Sequence, residues 1–450
     1  MDSAGALPWP VLDGGPAPVT LPADRHWVHD GYRMHLAGRG TRLETVRAGH
    51  VLMEAIRHDQ GDDVTFHADR AESRRGRDLY HRWATALELP LFVWECAGAG
   101  EVSWATPLAD AVVEASGGGT RLALHSRATN TRIVFETGTG ALRVAEGGRI
   151  TWNASEPGRL VAIAGSGDAD LDRSLDLVAR RTISGLGRQR VQHAEHLYRG
   201  GAAMRSSGIP SLEAAFDWAK VRGDALLGGM LRETQPGDQL PTIESLAEGM
   251  LAAGLSEHAR TLRRTPALLE REPGTPAARL EIWTGESELS AVPRDANQPI
   301  LAGRFLPAAF RAPSVEAIAS GAVDAEGIAA LLTTAISGLW GVLPDAPHGA
   351  VTLGPAAASL GSSAALSRLR IGRTVLDVRL RSRGEIVSVA IRRGAGPAIV
   401  VDCTLRGVPV AETLVDGEAM PGARGRFEVR DAHDVQFHLS AQPPLSSPPS

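Results

Sequence analysis

The side chains with the most chemical reach are few and unevenly spread in this 450-residue chain. His26, His29 and His35 lie close together with Asp30 among them, and imidazole with carboxylate is a common metal-ligand set. Their spacing is irregular and no His-Glu-x-x-His pattern accompanies them, so they read as surface or core histidines and no metal is expected. His193 and His196, three apart on a predicted helix, turn both rings to one face, but no third ligand comes into view. One lysine, Lys220, stands among 47 basic residues, so a phosphate-loop or Schiff-base lysine would have to be that residue. Its neighbours, Phe216 to Val221, form no glycine-rich loop, which argues against ATP-binding loops and pyridoxal chemistry. Carboxylates able to act as acid and base are plentiful in the helical middle: Asp217, Asp224, Asp238, Glu244, Glu248, Glu281, Glu286 and Glu288. Most of these read as solvated helix surface; Asp238 stands apart because it follows Gly237 and precedes a helix. Trp283, in a polar loop-like context, offers a flat stacking face, whereas Trp218 and Trp340 sit on helical stripes and read as core.

The elements that position these residues follow from periodicity. Residues 1–90 open with a Pro/Gly-rich lead-in, after which Leu43, Val46, His50, Val51, Met53 and Ile56 approximate one helical face and Asp78 to Leu89 suggests a second helix. Across residues 91–165 the period becomes two, with short runs at 122–124, 131–136, 142–144, 149–152 and 160–164 between glycine-rich turns, which predicts an antiparallel β-sandwich. Residues 166–347 read as helical: Ser211 is placed to cap a helix carrying Leu212, Phe216 and Ala219, Ile243 to Leu251 mark another, and Ile328, Leu331, Leu332, Ala335, Ile336, Leu339 and Trp340 keep the three-four spacing. Residues 348–441 return to alternation, with Leu376, Val378 and Leu380 set between charged positions, and predict a small β-domain. Residues 442–450 are Pro/Ser-rich and read as a disordered tail. The fold class expected is multidomain α+β.

Composition narrows the function classes. A hydrophobic share of 43% against 22% charged is a globular balance. A net charge of −5 with only 4% aromatics gives neither the basic field nor the stacking surface of a nucleic-acid binder. The two cysteines, Cys96 and Cys403, are too few for a disulfide framework or a four-thiolate zinc site. No apolar stretch reaches the roughly 20 residues that span a bilayer, so no membrane partner is expected and the cytoplasm is the expected location. Arginine almost to the exclusion of lysine points to a GC-rich bacterial genome.

Three passages carry a resemblance. Ile209-Pro210-Ser211-Leu212-Glu213-Ala214-Ala215-Phe216-Asp217-Trp218-Ala219-Lys220, the turn Pro236-Gly237-Asp238-Gln239-Leu240 with the helix after it, and Leu339 to Ala346 leading to the strand Leu369–Asp377 are similar to segments of the glycogen-debranching, amylo-α-1,6-glucosidase-like glycoside hydrolases of the six-hairpin superfamily. The resemblance implies a central α/α toroid flanked by β-domains, an α-glucan or oligosaccharide partner, no cofactor, and sugar contacts at Asp238, Glu244 and Trp283. Departures accompany it. Twelve helices with loops need roughly 300 residues, and only about 175 separate Asp168 from Leu343. The family's arginine is missing from the Gly237-Asp238 turn, and in Gly303 to Phe310 alanine stands where an acid is expected.

Glycoside hydrolysis needs two carboxyl groups flanking one bond, one protonated and one ionised. A shortened toroid removes a wall that would carry one of them. The expectation is a glycoside-hydrolase-like protein with reduced or lost catalysis and a carbohydrate-binding or scaffold role. An active two-carboxylate glycosidase and a multidomain interaction protein that binds no sugar remain as alternatives. Catalytic residues, sugar linkage and oligomeric state are left open.

Overall fold

The computed structural model describes residues 16–22, 24–97, 100–108, 112–145, 149–154, 157–232, 240–255, 283–284 and 312–440. The chain forms two compact units. The first comprises Met1–Tyr198, Ala225–Gly237 and Val315–Asp324; the second comprises Arg199–Asp224, Asp238–Ser314 and Ala325–Ser450.

The first unit carries strands β1 (Val19–Leu21), β2 (His26–Asp30), β3 (His35–Arg39), β4 (Arg42–Ala48), β5 (His50–Arg57), β6 (Asp63–Phe66), β7 (Arg70–Arg75), β8 (Asp78–Thr85), β9 (Leu91–Cys96), β10 (Gly100–Ala105), β11 (Val112–Ser116), β12 (Arg121–Ser126), β13 (Thr131–Thr137), β14 (Ala141–Val144), β15 (Ile150–Ala154) and β16 (Gly158–Ser166). They pair as a nine-stranded sheet, β1-β6-β7-β8-β9-β16-β13-β12-β11, and a seven-stranded sheet, β14-β15-β10-β5-β4-β3-β2. The helical stretches expected over Leu43–Ile56 and Asp78–Leu89 are instead strands β4 and β5 and, through Thr85, strand β8. A turn at Gly49, with φ +69°, breaks the first into β4 and β5. Strands with buried residues on both faces lose the period-two signal, and in β5 the adjacent Leu52 and Met53 are both fully buried.

Successive residues of a strand face opposite ways, so register sorts the large sheet into two chemistries. One row of the nine-stranded sheet runs Ala71, Trp83, Trp94, Leu160 across β7, β8, β9 and β16, and all four are buried. Trp27, Phe66, Trp83, Trp94 and Trp152 form a chain of ring contacts 5.3 to 6.3 Å between centroids. Trp27 approaches so closely that a Cβ at Gly38 would overlap its indole. The next row runs Glu72, Arg82, Glu95, Arg159, with signs alternating strand by strand. Arg82 bridges Glu72 and Glu95 at 3.0 Å each, Arg159 reaches Glu95 at 3.0 Å, and Arg70 holds Glu72 at 2.8 Å and Asp69 at 2.9 Å. Burial alone would raise the Glu72 carboxyl. Hydrogen bonds from His67 and Arg70, with the charges of Arg70 and Arg82, outweigh it and hold Glu72 well below the usual carboxylate range. Beyond this ladder the same face turns apolar: Ala84, Val93, Val134, Val161 and Ile163 pack against Leu171 and Val178 of helix α1 (Asp168–Arg181) and Ile183 and Leu186 of α2 (Ile183–Gly200).

A histidine pair completes this unit. His81 Nε2 lies 3.0 Å and His58 Nδ1 2.5 Å from the Asp59 carbonyl. His81 Nδ1 accepts from the Trp94 indole at 3.2 Å, and His58 Nε2 accepts from the Leu43 amide at 3.2 Å. With one nitrogen accepting, the other must carry the proton, so both rings are neutral and each tautomer is fixed by its partners. Burial lowers His58 to about 4; burial and the neighbouring His58 lower His81 to about 3.

The second unit contains most of helix α3 (Leu212–Met230), through Asp224, together with α4 (Leu240–Ala252), α6 (Ala325–Thr333) and α7 (Ala357–Leu360); the short α5 (Val315–Ala319) belongs to the first. After α6 the chain continues as a π-helical turn, Thr334–Leu339. The apolar stripe from Ile328 to Trp340 is buried throughout. A Cβ at Gly223 would stand 2.9 Å from Met250 Sδ and 3.3 Å from Ile328 Cγ2, so glycine allows α3 to lie close against α4 and α6.

Its strands are β17 (Ala203–Ser206), β18 (Leu343–Asp345), β19 (Ala350–Leu353), β20 (Ser363–Ile371), β21 (Thr374–Arg383), β22 (Ile386–Ala395), β23 (Ile399–Thr404), β24 (Val410–Val415), β25 (Glu418–Met420), β26 (Arg424–Val429) and β27 (Ala432–Leu439). They form a seven-stranded sheet, β17-β20-β21-β22-β27-β24-β25, and a four-stranded one, β18-β19-β23-β26. Leu376, Val378, Leu380, Val387, Val389 and Ile391 are buried on the inner face, as their alternation predicts. The protein is thus multidomain α+β and rich in sheet.

Candidate functional site

A polar cavity among the described residues of the second unit lies where α3 starts. Glu213, Asp217 and Lys220 stand at i, i+4 and i+7 and share one helix face. Lys220 is fully buried, with its ammonium 2.8 Å from Asp217 Oδ1 and donating to the Ala202 carbonyl at 3.0 Å. Burial raises the Asp217 carboxyl and Lys220 pulls it back; burial likewise lowers Lys220. One turn earlier, Glu213 meets the exposed Arg205 of β17 at 3.0 Å.

Arg205, Ser206, Ser207, Glu213, Ser363 and Ala365 line a cavity of about 410 Å³. The loop after β17 is held by backbone pairing: Ser207 N–H donates to the Ser363 carbonyl at 2.8 Å and Gly208 N–H to that of Leu360 at 3.1 Å. Ser206 Oγ donates to the Leu360 carbonyl at 2.9 Å and accepts from Ile209 N–H at 3.2 Å, so its hydroxyl serves the turn. Ser207 Oγ accepts from Ser363 N–H at 3.0 Å and lies 3.5 Å from the Ser362 hydroxyl, either of which can be the donor. The cavity thus offers a guanidinium, a carboxylate and a hydroxyl around one opening, a set that hydrogen-bonds a polyol. Glu213 is the one acid among these lining residues.

The residues singled out from sequence are dispersed. Asp238 lies outside the described residues, as do Glu281, Glu286, Glu288 and the Gly303–Phe310 stretch. Glu244 is on α4 and half-buried. Trp283 is 3% exposed, and its carbonyl accepts from Gly372 N–H at 2.7 Å, so its ring is packed inside the protein rather than held out from a loop. Asp224 and Glu248 are buried on α3 and α4, not solvated, and Trp218 and Trp340 are core. His35 Nδ1 pairs with Asp30 Oδ1 at 2.8 Å, and His193 Nε2 lies 3.2 Å from the Tyr32 hydroxyl. Among the described residues no group of three or more His, Cys, Asp or Glu side chains is placed to hold a metal. Both cysteines are buried free thiols, and no described helix is long and apolar enough to cross a membrane. Sequence reading missed Arg205, Ser207 and Ser363; β17 is only four residues long, and its pairing with β20 joins positions about 160 residues apart.

No protein-family model matches the chain, and no curated protein matches it. Among solved structures it is similar to one described as "Putative kojibiose phosphorylase from human microbiome", at 8% identity and TM-score 0.43, over 93% of this chain and 92% of that one. It is also similar to a bacterial glucoamylase complexed with acarbose, at 8% identity and TM-score 0.34, over 58% of this chain and 52% of that one. A third likeness is to the GH92 family glycosyl hydrolase ccman5, at 9% identity and TM-score 0.30, over 44% and 38% of the two chains.

Proposed function

We propose that this is a glycoside-hydrolase-like protein that binds an oligosaccharide or α-glucan in the cytoplasm, with hydrolysis reduced or lost. On this reading α3, α4 and α6 are what remains of an α/α toroid of the glycogen-debranching type, and Asp238 and Glu244 also contribute sugar contacts. The observation that carries it is the cavity at the start of α3. Arg205, Ser207 and Glu213 can grip sugar hydroxyls, yet the cavity lining includes one carboxylate and that one is tied to a guanidinium. Two carboxyl groups on opposite sides of a bond are what hydrolysis requires.

A second reading, an active glycosidase, draws on Asp217. Its carboxyl is raised by burial, as a general acid's must be, and Glu213 stands one helical turn away. Calorimetry with neutral α- and β-linked oligosaccharides, alongside measurement of released reducing ends, separates the two. Binding without release, weakened in Ser207→Ala, supports the first. Release abolished in Asp217→Asn and in Glu213→Gln establishes the second. A chain that neither binds nor cleaves any sugar is an interaction protein of another kind.

A further inference from the structure

The outer face of the seven-stranded sheet in the second unit carries charge that the fold does not use. Leu376, Val378 and Leu380 of β21 point into the core, so Arg379, Arg381 and Arg383 point outward, and all three are exposed. They recur at every second residue, about 6.6 Å apart along the strand. Cross-strand neighbours supply no counter-charge. Arg379 stands between Ala365 of β20 and Ala390 of β22, and Arg381 between Ser363 and Ser388. Arg370 of β20 is also exposed, and among the described residues none of these four arginines forms an ion pair. Two nearby acids have other partners: Asp377 accepts from the Arg368 amide at 2.9 Å, and Asp434 from the Gln436 side chain at 2.9 Å.

Register joins this row to the cavity. Ala365 pairs with Arg205 on one side and Arg379 on the other, and Ser363, which lines the cavity, lies directly across from Arg381. Like charges on one face repel, so a row of unpaired guanidiniums destabilises the free protein slightly and favours an anionic occupant.

We infer that the cavity and the adjoining arginine row form one binding surface for an acidic oligosaccharide, with a sugar ring at Glu213 and Ser207 and its neighbours' carboxylate or sulfate groups on Arg379 and Arg381. This rests on the carbohydrate reading above and adds the charge of the ligand. A polyol cavity at the end of the row favours a saccharide over single-stranded nucleic acid, which is gripped by aromatic stacking. No Phe, Tyr or Trp points outward from β20, β21 or β22.

The test is calorimetry on the full chain at low salt with four probes: an oligouronate, a sulfated oligosaccharide, neutral maltoheptaose, and oligo(dT) matched in charge. The expected result is binding of at least one acidic saccharide that weakens as salt rises and falls tenfold or more in Arg379→Ser/Arg381→Ser. Arg180→Ser, an exposed arginine on α1, serves as control and binds as the parent does. The uronate and sulfate arms tell which acidic group is preferred. The inference is overturned if no acidic saccharide binds, if the double variant binds as tightly as the parent, or if oligo(dT) binds more tightly than every saccharide. Binding of maltoheptaose alone removes this inference and leaves the carbohydrate reading standing; binding of no saccharide removes both.

Discussion

The ladder on the nine-stranded sheet and the arginine row on the seven-stranded sheet are built from the same residue type on the same kind of surface, and they end in opposite states. In the ladder Arg82 and Arg159 meet carboxylates across the strands, Arg70 meets Glu72 along its own strand, and Glu72 and Arg70 are all but removed from solvent. In the row the guanidiniums are exposed and face uncharged neighbours, Ala365 and Ala390, Ser363 and Ser388, and Ile386. Charge that is paired and buried specifies the strand register. Charge left unpaired on a sheet whose other face is already packed contributes nothing to that register, and its use lies with a ligand.

Acid is the strongest way to break the comparison. His58 and His81 are held neutral with values of about 4 and 3 against an ordinary 6.5. The unfolded chain therefore takes up protons first as pH falls, so stability present above pH 6.5 is lost progressively toward pH 3. At 1.36 kcal/mol per pH unit this is about 3 to 5 kcal/mol per site. Urea unfolding followed by tryptophan fluorescence from pH 7 to 4 reads the slope, and a flat profile removes the neutral pair. Glu72, held low, adds a further loss only below its ordinary value of 4.5.

Replacing Glu72 by Gln comes next. It leaves Arg70 and Arg82 buried without their shared carboxylate and costs about 3–5 kcal/mol in the same unfolding assay. A loss below about 1 kcal/mol would mean the ladder is decorative. The exposed Arg205–Glu213 pair lies at the other end of the scale, and Arg205→Ala should change stability by about 0–1 kcal/mol. Arg379→Ser/Arg381→Ser should stay within about 0.5 kcal/mol of the parent, of either sign, because nothing in the fold leans on those side chains. A larger destabilisation would show that the row, like the ladder, is structural.

The same contrast explains how much could be read in advance. In β21 one face is buried and the other wet, so Leu376, Val378 and Leu380 alternate with charge and the strand is plain from sequence. In β7 and β8 both faces are buried, by tryptophans on one side and by the ladder on the other, so the alternation of apolar with polar no longer marks what is inside. Glu72, Arg82 and Glu95 look like surface residues until register sets them side by side. The helix carrying Ile328 to Trp340 was legible because one apolar stripe does one job. Of the cavity, Glu213 lies in a segment that a family resemblance brought forward, whereas Arg205 and Ser363 meet only through long-range pairing that no local pattern reveals. Trp283 shows the converse: its polar sequence neighbours suggested a free ring, and tertiary packing buried it.

Lys220, the chain's only lysine, has one further consequence. With its amine sealed against Asp217, reagents and enzymes that acylate lysine side chains find none to label until the helix around residue 220 opens, and the exposed cations, being arginines, are not their targets. Amine labelling at that one position is thus a reporter of local unfolding in the second unit.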